Sequence, residues 1–279
     1  MKTALVLEGG AMRGMYTTGV LDIFMEQGIQ FDGIIGVSAG ALFGVNYLSG
    51  QIGRAIRYNK KYNQDKSYMG IRPLIREGNI VSTEYAYERL PRELDVFDDE
   101  TFKQSNIPFY AVVTNIETGE PEYIQIKSVF DQMDTLRASG SMPFVSKIVE
   151  IGQKKYLDGA VTDSIPFEYM LSHGYDRVVV VLTKKVGYIK KPLPARLIKA
   201  CYKRNYPEFA DRLIHRHIMY NHQMEKLFEL QKQGIADVIQ TKEDIKVSKV
   251  EKDPEKLEKL YQIGRSDAIR WIEKLSKSI

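Results

Sequence analysis

Twice within its first fifty residues the chain passes from a short apolar stretch through a turn of small residues into a helix-forming stretch. The first pass is Thr3–Leu7, then Glu8-Gly9-Gly10-Ala11-Met12-Arg13-Gly14, then a helix expected over 17–27 and closed by Gly28. The second starts at Phe31, crosses Gly36-Val37-Ser38-Ala39-Gly40 and enters a helix that reaches Asn46. Strands joined this way are parallel, because a crossover helix must carry the chain back before the next strand can begin. Open α/β sheets place their sites at the carboxyl ends of such strands, so both turns are expected on the same edge of one sheet.

A G-x-S-x-G pentapeptide at a strand-to-helix junction is what a nucleophile elbow requires: Gly36 and Gly40 allow the sharp turn that leaves a serine oxygen exposed. Ser38 is therefore the candidate nucleophile. The first turn is open to more than one reading. Gly9 and Gly14 have the spacing of a phosphate-binding loop, but Met15-Tyr16 stands where Lys-Ser/Thr is required, and no G-x-G-x-x-G fits. A glycine-rich turn ahead of a helix still presents N–H groups to an anion, which leaves an oxyanion hole or a simple tight turn.

Further along, strands are expected over 109–114 and 122–126, and a helix over 131–138. Ala138-Ser139-Gly140-Ser141-Met142-Pro143 then suits close backbone approach. A hairpin over 147–157 ends in Asp158-Gly159-Ala160. An Asp before Gly is ordinarily a turn former, and Asp32-Gly33 carries the same dipeptide with no role assigned. The β-branched run 177–183 reads as a central strand. Tyr58, Tyr62, Tyr68, Tyr85 and Tyr87 read as packing residues with wet tips. An α/β domain is expected over 1–190, followed over 191–279 by a mainly helical extension. That extension has a long helix over 207–233, a short strand near 238–240 able to rejoin the main sheet, and helices after Asp253-Pro254. Lys184 to Arg204 holds eight basic residues and no acidic one, broken by Pro192 and Pro194, and reads as a linker or surface arm.

With 279 residues, 43% of them hydrophobic, the chain can bury a full core. Its formal charge of +4 mixes 40 basic with 36 acidic residues, which argues against nucleic acid as a partner. The single Cys201 excludes a disulfide framework and fits a reducing compartment. The apolar run after Met1 ends at Glu8, too early for a signal-peptide core, and none approaches the ~20 residues of a membrane helix. A soluble cytoplasmic protein is expected, at most peripheral to a membrane. No Cys/His/Asp cluster has metal-ligand spacing, so no metal or other cofactor is expected.

Taken together, Glu8 to Gly14, Gly36 to Gly40, Ala138 to Pro143 and Asp158-Gly159-Ala160 resemble the patatin-like phospholipase family, its bacterial members in particular. Order and spacing agree over roughly residues 2–183. The resemblance implies a three-layer α/β sandwich around a mostly parallel sheet. It also implies acyl-ester hydrolysis by a Ser-Asp dyad, with the glycine-rich loop as oxyanion hole. One departure is visible: the family's loop usually carries three consecutive glycines, and here Ala11 stands third. Where that position needs φ > 0, Ala costs about 1 kcal/mol or more.

The chemistry of the residues leads to the same pair. Histidine is the usual base for a serine nucleophile, yet His215, His217 and His222 share one late helix and His173 lies at no strand end. A carboxylate is left. An Asp with the ordinary pKa of ~3.9 is a poor base at neutral pH, so Asp158 should be desolvated, and the helix after Ser38 should assist the serine through its N-terminus. The N–H groups of Gly9, Gly10 and Ala11 would then hold the tetrahedral oxyanion. Arg13 either supports that loop or makes a surface salt bridge. Two functions are carried forward. One is a metal-independent hydrolase of phospholipid, lysophospholipid or glyceride esters, with acyl transfer to an alcohol as a variant. The other is a lipid-binding or regulatory protein weakened by Ala11. The basic arm is expected to hold the catalytic edge transiently to anionic bilayers.

Overall fold

The structure, a computed structural model, describes residues 1–244 and 246–276. Eight strands form one sheet: β1 (Thr3–Leu7), β2 (Gly33–Val37), β3 (Phe109–Asn115), β4 (Glu120–Ile126), β5 (Val149–Ile151), β6 (Lys154–Asp158), β7 (Arg177–Leu182) and β8 (Ala236–Gln240). The strands β3, β2, β1, β7 and β8 lie side by side and parallel, as expected of strands joined by crossover helices. The strand able to rejoin the sheet does so as β8, from Val178 opposite Ala236 to Leu182 opposite Gln240.

Side chains alternate across the strands and build two cores. Leu5, Leu7, Ile34, Phe109 and Val181 face one layer. It is made by α1 (Met15–Glu26), α2 (Ala39–Leu48), α3 (Arg54–Tyr62), the outlying α4 (Ile71–Glu77), α5 (Asp99–Gln104) and α6 (Met133–Ser139). Val6, Ile35, Val37, Val180 and Leu182 face the opposite layer, which contains α7 (Phe167–Ser172). There α8 (Ala195–Tyr202) and α9 (Pro207–Lys232) complete the covering, and α10 (Pro254–Ser276) returns to the first layer along α1. The result is the three-layer, mostly parallel sandwich. The α1–α10 contact is tied by Tyr16 to Asp267 at 2.8 Å and by Tyr261 to Asp22 at 2.7 Å.

Strand β3 positions the site. Along one edge, β4 pairs antiparallel with all seven of its residues. The other edge must then be shared: β2 takes Phe109 to Val112, and antiparallel β6 takes Val113 to Asn115. The two strands meet end to end, with Val37 opposite Val112 and Asp158 opposite Val113, so the residue after β2 and the last residue of β6 arrive at the same point.

The stretch after β7 differs from the expected linker. Its residues 195–202 form α8, which buries Ile198 and Tyr202 against Phe209 and Leu213 of α9. The apolar positions interleaved with its lysines recur at helical spacing, and that periodicity outweighs the prolines, which stand before the helix. Among the described residues, no helix is long and apolar enough to cross a membrane.

Candidate active site

Ser38 sits between β2 and α2 with φ 55° and ψ −123°, a conformation that L-residues rarely adopt. Its N–H donates to Ser139 Oγ at 2.9 Å, and its carbonyl accepts from the N–H groups of Ala41 and Leu42, both at 3.0 Å. The turn needs glycine because α2 starts against β1: a Cβ on Gly40 would stand 2.2 Å from the Leu7 carbonyl oxygen. Gly36 and Gly14 are tight as well: a Cβ there would stand 2.6 Å from the Ala41 amide nitrogen and 2.7 Å from the Phe43 ring, respectively.

The hydroxyl of Ser38 donates to Asp158 Oδ2 at 2.8 Å, and both residues are buried. Asp158 Oδ1 accepts from the Ala160 N–H at 2.9 Å. The Asp158 backbone is held as well, its N–H donating to the Ser141 carbonyl and its own carbonyl accepting from Thr114 Oγ1, both at 2.9 Å. Burial pushes the Asp158 carboxyl above the usual carboxylate range, and the Arg216 charge and the two hydrogen bonds to its oxygens only partly offset this.

The loop after β1 packs directly on the elbow, since a Cβ on Gly9 would stand 2.8 Å from the Ser38 Cβ. It is clamped from behind. The buried Glu8 carboxylate accepts from the Thr183 N–H at 2.6 Å and the Tyr220 hydroxyl at 2.9 Å, while Thr183 Oγ1 lies 2.7 Å from the Gly9 carbonyl. Residues Ala11–Gly14 form a single 3-10 turn, and the N–H groups of Gly9, Gly10 and Ala11 meet no acceptor among the described residues. Ala11 has φ 49°, so the condition attached to it is met and its strain is about 1–2 kcal/mol. Among the described residues, the non-glycine positions with positive φ are Ala11, Ser38 and Phe144, and all three line one cavity. Strained backbone of this kind clusters at active sites and ligand clamps in proteins generally. Arg13 enters the same cavity, with its Nε buried and without a hydrogen-bond partner.

Ser38 lies where two cavities meet. The first, about 130 Å³, is apolar and is walled by Leu42, Phe43, Met69 and Leu136. Tyr58, Tyr68 and Tyr87 line it too, so three of the tyrosines read as packing residues also shape a cavity. The second, about 300 Å³, holds Asp158 with Arg13, Lys184, Lys190, Arg216 and Lys249. Burial pushes Lys184 down to about 8 and Lys190 down to about 7, with Arg13 beside the first and Arg216 beside the second. These two lysines therefore turn into the cavity, whereas the segment was expected to be a linker or surface arm. No histidine bonds Ser38 or Asp158: His173 stacks on Tyr169, His215 pairs with Asp211, His222 is exposed, and His217 alone lines the cavity. Among the described residues, no group of three His, Cys, Asp or Glu could hold a metal ion.

Sequence reasoning passed over Ser139, Thr183, Arg216 and Tyr220 as parts of this site. Thr183 had a signal, as the polar residue that ends the buried run of β7. Arg216 and Tyr220, one turn apart on a charged helix, had none.

A sequence model described as patatin-like phospholipase matches residues 5–171, and one described as a domain of unknown function matches residues 206–279. The chain is 30% identical over 186 residues to the uncharacterized protein YjjU of Escherichia coli K12, covering 65% of this chain and 52% of that one. It is 26% identical over 180 residues to an uncharacterized NTE family protein of Mycobacterium tuberculosis H37Rv, covering 64% of this chain and 48% of the other. The chain thus spans about half the length of these relatives. It is also 30% identical over 202 residues to the lysophospholipase nte1 of Aspergillus fumigatus, 68% of this chain and 12% of that one. Among solved structures, VipD from Legionella pneumophila aligns with a TM-score of 0.47 at 13% identity, over 98% of this chain and 67% of the other.

Proposed function

Since the chain belongs to the patatin-like phospholipase family, we propose that it hydrolyses acyl esters of lipids, with Ser38 as nucleophile and Asp158 as general base. The observation that carries this reading is the 2.8 Å hydrogen bond from Ser38 Oγ to Asp158 Oδ2 at the junction of two cavities. As Ser38 Oγ attacks the ester carbonyl, its proton passes to Asp158. The carbonyl oxygen becomes an oxyanion facing the free N–H groups of Gly9, Gly10 and Ala11 and the N-terminus of α2. Collapse expels the alcohol, which takes the proton from Asp158. A water then attacks the acyl-Ser38 ester, again losing its proton to Asp158, and collapse releases the fatty acid as that proton returns to Ser38 Oγ. An alcohol in place of that water would make the reaction an acyl transfer. Burial of Asp158 supports the base role, because a raised pKa strengthens the carboxylate as a proton acceptor. No step calls for a metal or another cofactor.

The apolar cavity suits the acyl chain, and the polar one receives the alcohol side of a phospholipid, lysophospholipid or glyceride. The name of the fungal relative, a lysophospholipase, adds weight to single-chain esters. We assign catalysis to residues 1–190, with 191–279 as an extension that completes the polar cavity, and we place the protein in the cytoplasm, peripheral to membranes. Val186, Ile189, Leu193 and Leu197 are exposed beside Lys191, Arg196, Lys199 and Lys203, which suits transient contact with an anionic bilayer. Co-sedimentation with anionic and neutral vesicles tests that contact: equal binding to both rejects it. The nucleophile is tested with a fluorophosphonate probe. Mapping should find the label on Ser38, and Ser38→Ala should take up none and hydrolyse no ester; label on another residue removes the assignment.

A further inference from the structure

On the polar side of Ser38, six cationic side chains converge on one cavity: Arg13, Lys184, Lys190, Lys191, Arg216 and Lys249. They come from the turn after β1, the stretch between β7 and α8, the middle of α9 and the loop before α10. Two carboxylates share the cavity, and both are engaged elsewhere, Glu8 with Thr183 and Tyr220, Asp158 with Ser38 and Ala160. Among the described residues, none of the six cations lies in an ion pair.

The lysines are held in place by rings. Lys184 Nζ stands 4.4 Å from the centroid of Tyr188, and Lys190 Nζ stands 4.2 Å from that of Tyr220, whose hydroxyl is fixed on Glu8. Burial and the neighbouring cations hold Lys184 and Lys190 below the usual lysine range, and the Glu8 carboxylate offsets this only in part. A bound anion would relieve this. The cavity, about 300 Å³, has room for a phosphate and the glycerol carbons beside it. An ammonium-bearing head group would bring a further cation into a site that has no free carboxylate to receive it.

We propose that this cavity binds the phosphate of an anionic lipid head group without an ammonium, so that such phospholipids or lysophospholipids are preferred over zwitterionic and neutral esters. The inference rests on the reading of Ser38 given above for where the ester lies, and on the cations alone for binding. Equilibrium binding to the Ser38→Ala protein tests it without turnover, by titration below micelle concentration with monododecyl phosphate, dodecylphosphocholine and dodecyl maltoside. Monododecyl phosphate should bind at least about tenfold tighter than the other two, and Lys184→Gln with Lys190→Gln should remove that preference. Equal affinity for the three amphiphiles overturns the proposal, as does an unchanged preference in the double variant with its unfolding midpoint intact. Inorganic phosphate separates the sources of the anion: it should bind at least about tenfold weaker than monododecyl phosphate, and equal affinity makes this a site for free phosphate and rejects the head group. A failure of Ser38 as nucleophile would show in probe labelling and leave these titrations unaffected.

Discussion

The dipeptide Asp-Gly stands beside the sheet twice, and only one copy is built into chemistry. Asp32-Gly33 opens β2. Its aspartate is exposed, accepts the Thr3 N–H at 2.7 Å and so secures the start of β1. Asp158-Gly159 closes β6, where the aspartate is buried, bonded to a strained serine and kept above its ordinary pKa. The glycines differ in the same way. A Cβ on Gly33 would meet the Tyr175 hydroxyl at 2.0 Å, the far end of a side chain, whereas one on Gly159 would meet the Val112 carbonyl oxygen at 2.2 Å. Both copies serve as turns. What separates them is which end of a strand they occupy, because the carboxyl edge is where loops from β1, β2, β6 and β7 close over one another.

The widest gap between the two should appear in rate. Asp158→Asn should lower kcat/KM on a soluble ester by about 10³-fold, within the range for a lost general base, while Asp32→Asn stays within about twofold. Similar losses in both would end the contrast. Acidity gives a second measure. The ionised carboxylate is the base, so kcat/KM should rise as pH climbs through the raised Asp158 pKa, with an acid limb above ~3.9. Stability runs the other way: the folded state favours the protonated carboxyl, so its contribution is full below the unfolded pKa and is lost as pH rises through the folded one. Asp158→Asn should therefore unfold at the same or higher urea concentration than the parent at pH 7, and a lower midpoint would contradict the burial argument.

The glycines come next in size. Gly159→Ala should destabilise by about 2 kcal/mol, because a strand carbonyl cannot withdraw, and Gly33→Ala by less than half of that, since Tyr175 can swing aside. Urea midpoints that reverse this order would show that the two surroundings were misjudged. An effect at the lower end belongs to Asp32→Ala, which removes one exposed acceptor from the Thr3 N–H and should lower stability by about 0.5 kcal/mol with no change in rate; a rate loss there would give the exposed copy a role that its position denies.

How much could be read in advance followed the range of the interaction. Strand, small-residue turn and helix are settled within some twenty residues, so the parallel sheet, the Ser38 elbow and the glycine-rich loop after β1 were legible from local pattern. Asp158 was legible as a candidate because it ends a strand and no histidine does. Its partnership with Ser38 depends on two strands sharing an edge of β3, and nothing near either residue encodes that. The lysines failed for a related reason. A basic, proline-broken run is ordinarily solvated, and only the rings of Tyr188 and Tyr220, the second far along the chain on α9, turn Lys184 and Lys190 inward. Tyr58, Tyr68 and Tyr87 were read as packing residues with wet tips, and they are buried around a cavity; burial in a core and burial around a cavity leave the same trace in a sequence.

The end-to-end meeting of β2 and β6 also determines which changes in chain length the protein can absorb. Successive strand residues point to opposite faces, so one residue added within β6 between Tyr156 and Asp158 would turn the carboxylate through the sheet and away from Ser38, while β5, the core and the surface stayed much as they are. The same addition at the turn of Gly152 and Gln153 would fall outside the β3 pairing and shift nothing at Val113. Natural drift in length should thus be common at that turn and nearly forbidden three residues later, and a pair of single-residue insertion variants, compared for ester hydrolysis and for unfolding midpoint, would separate a silent change from one that leaves a folded protein without its chemistry.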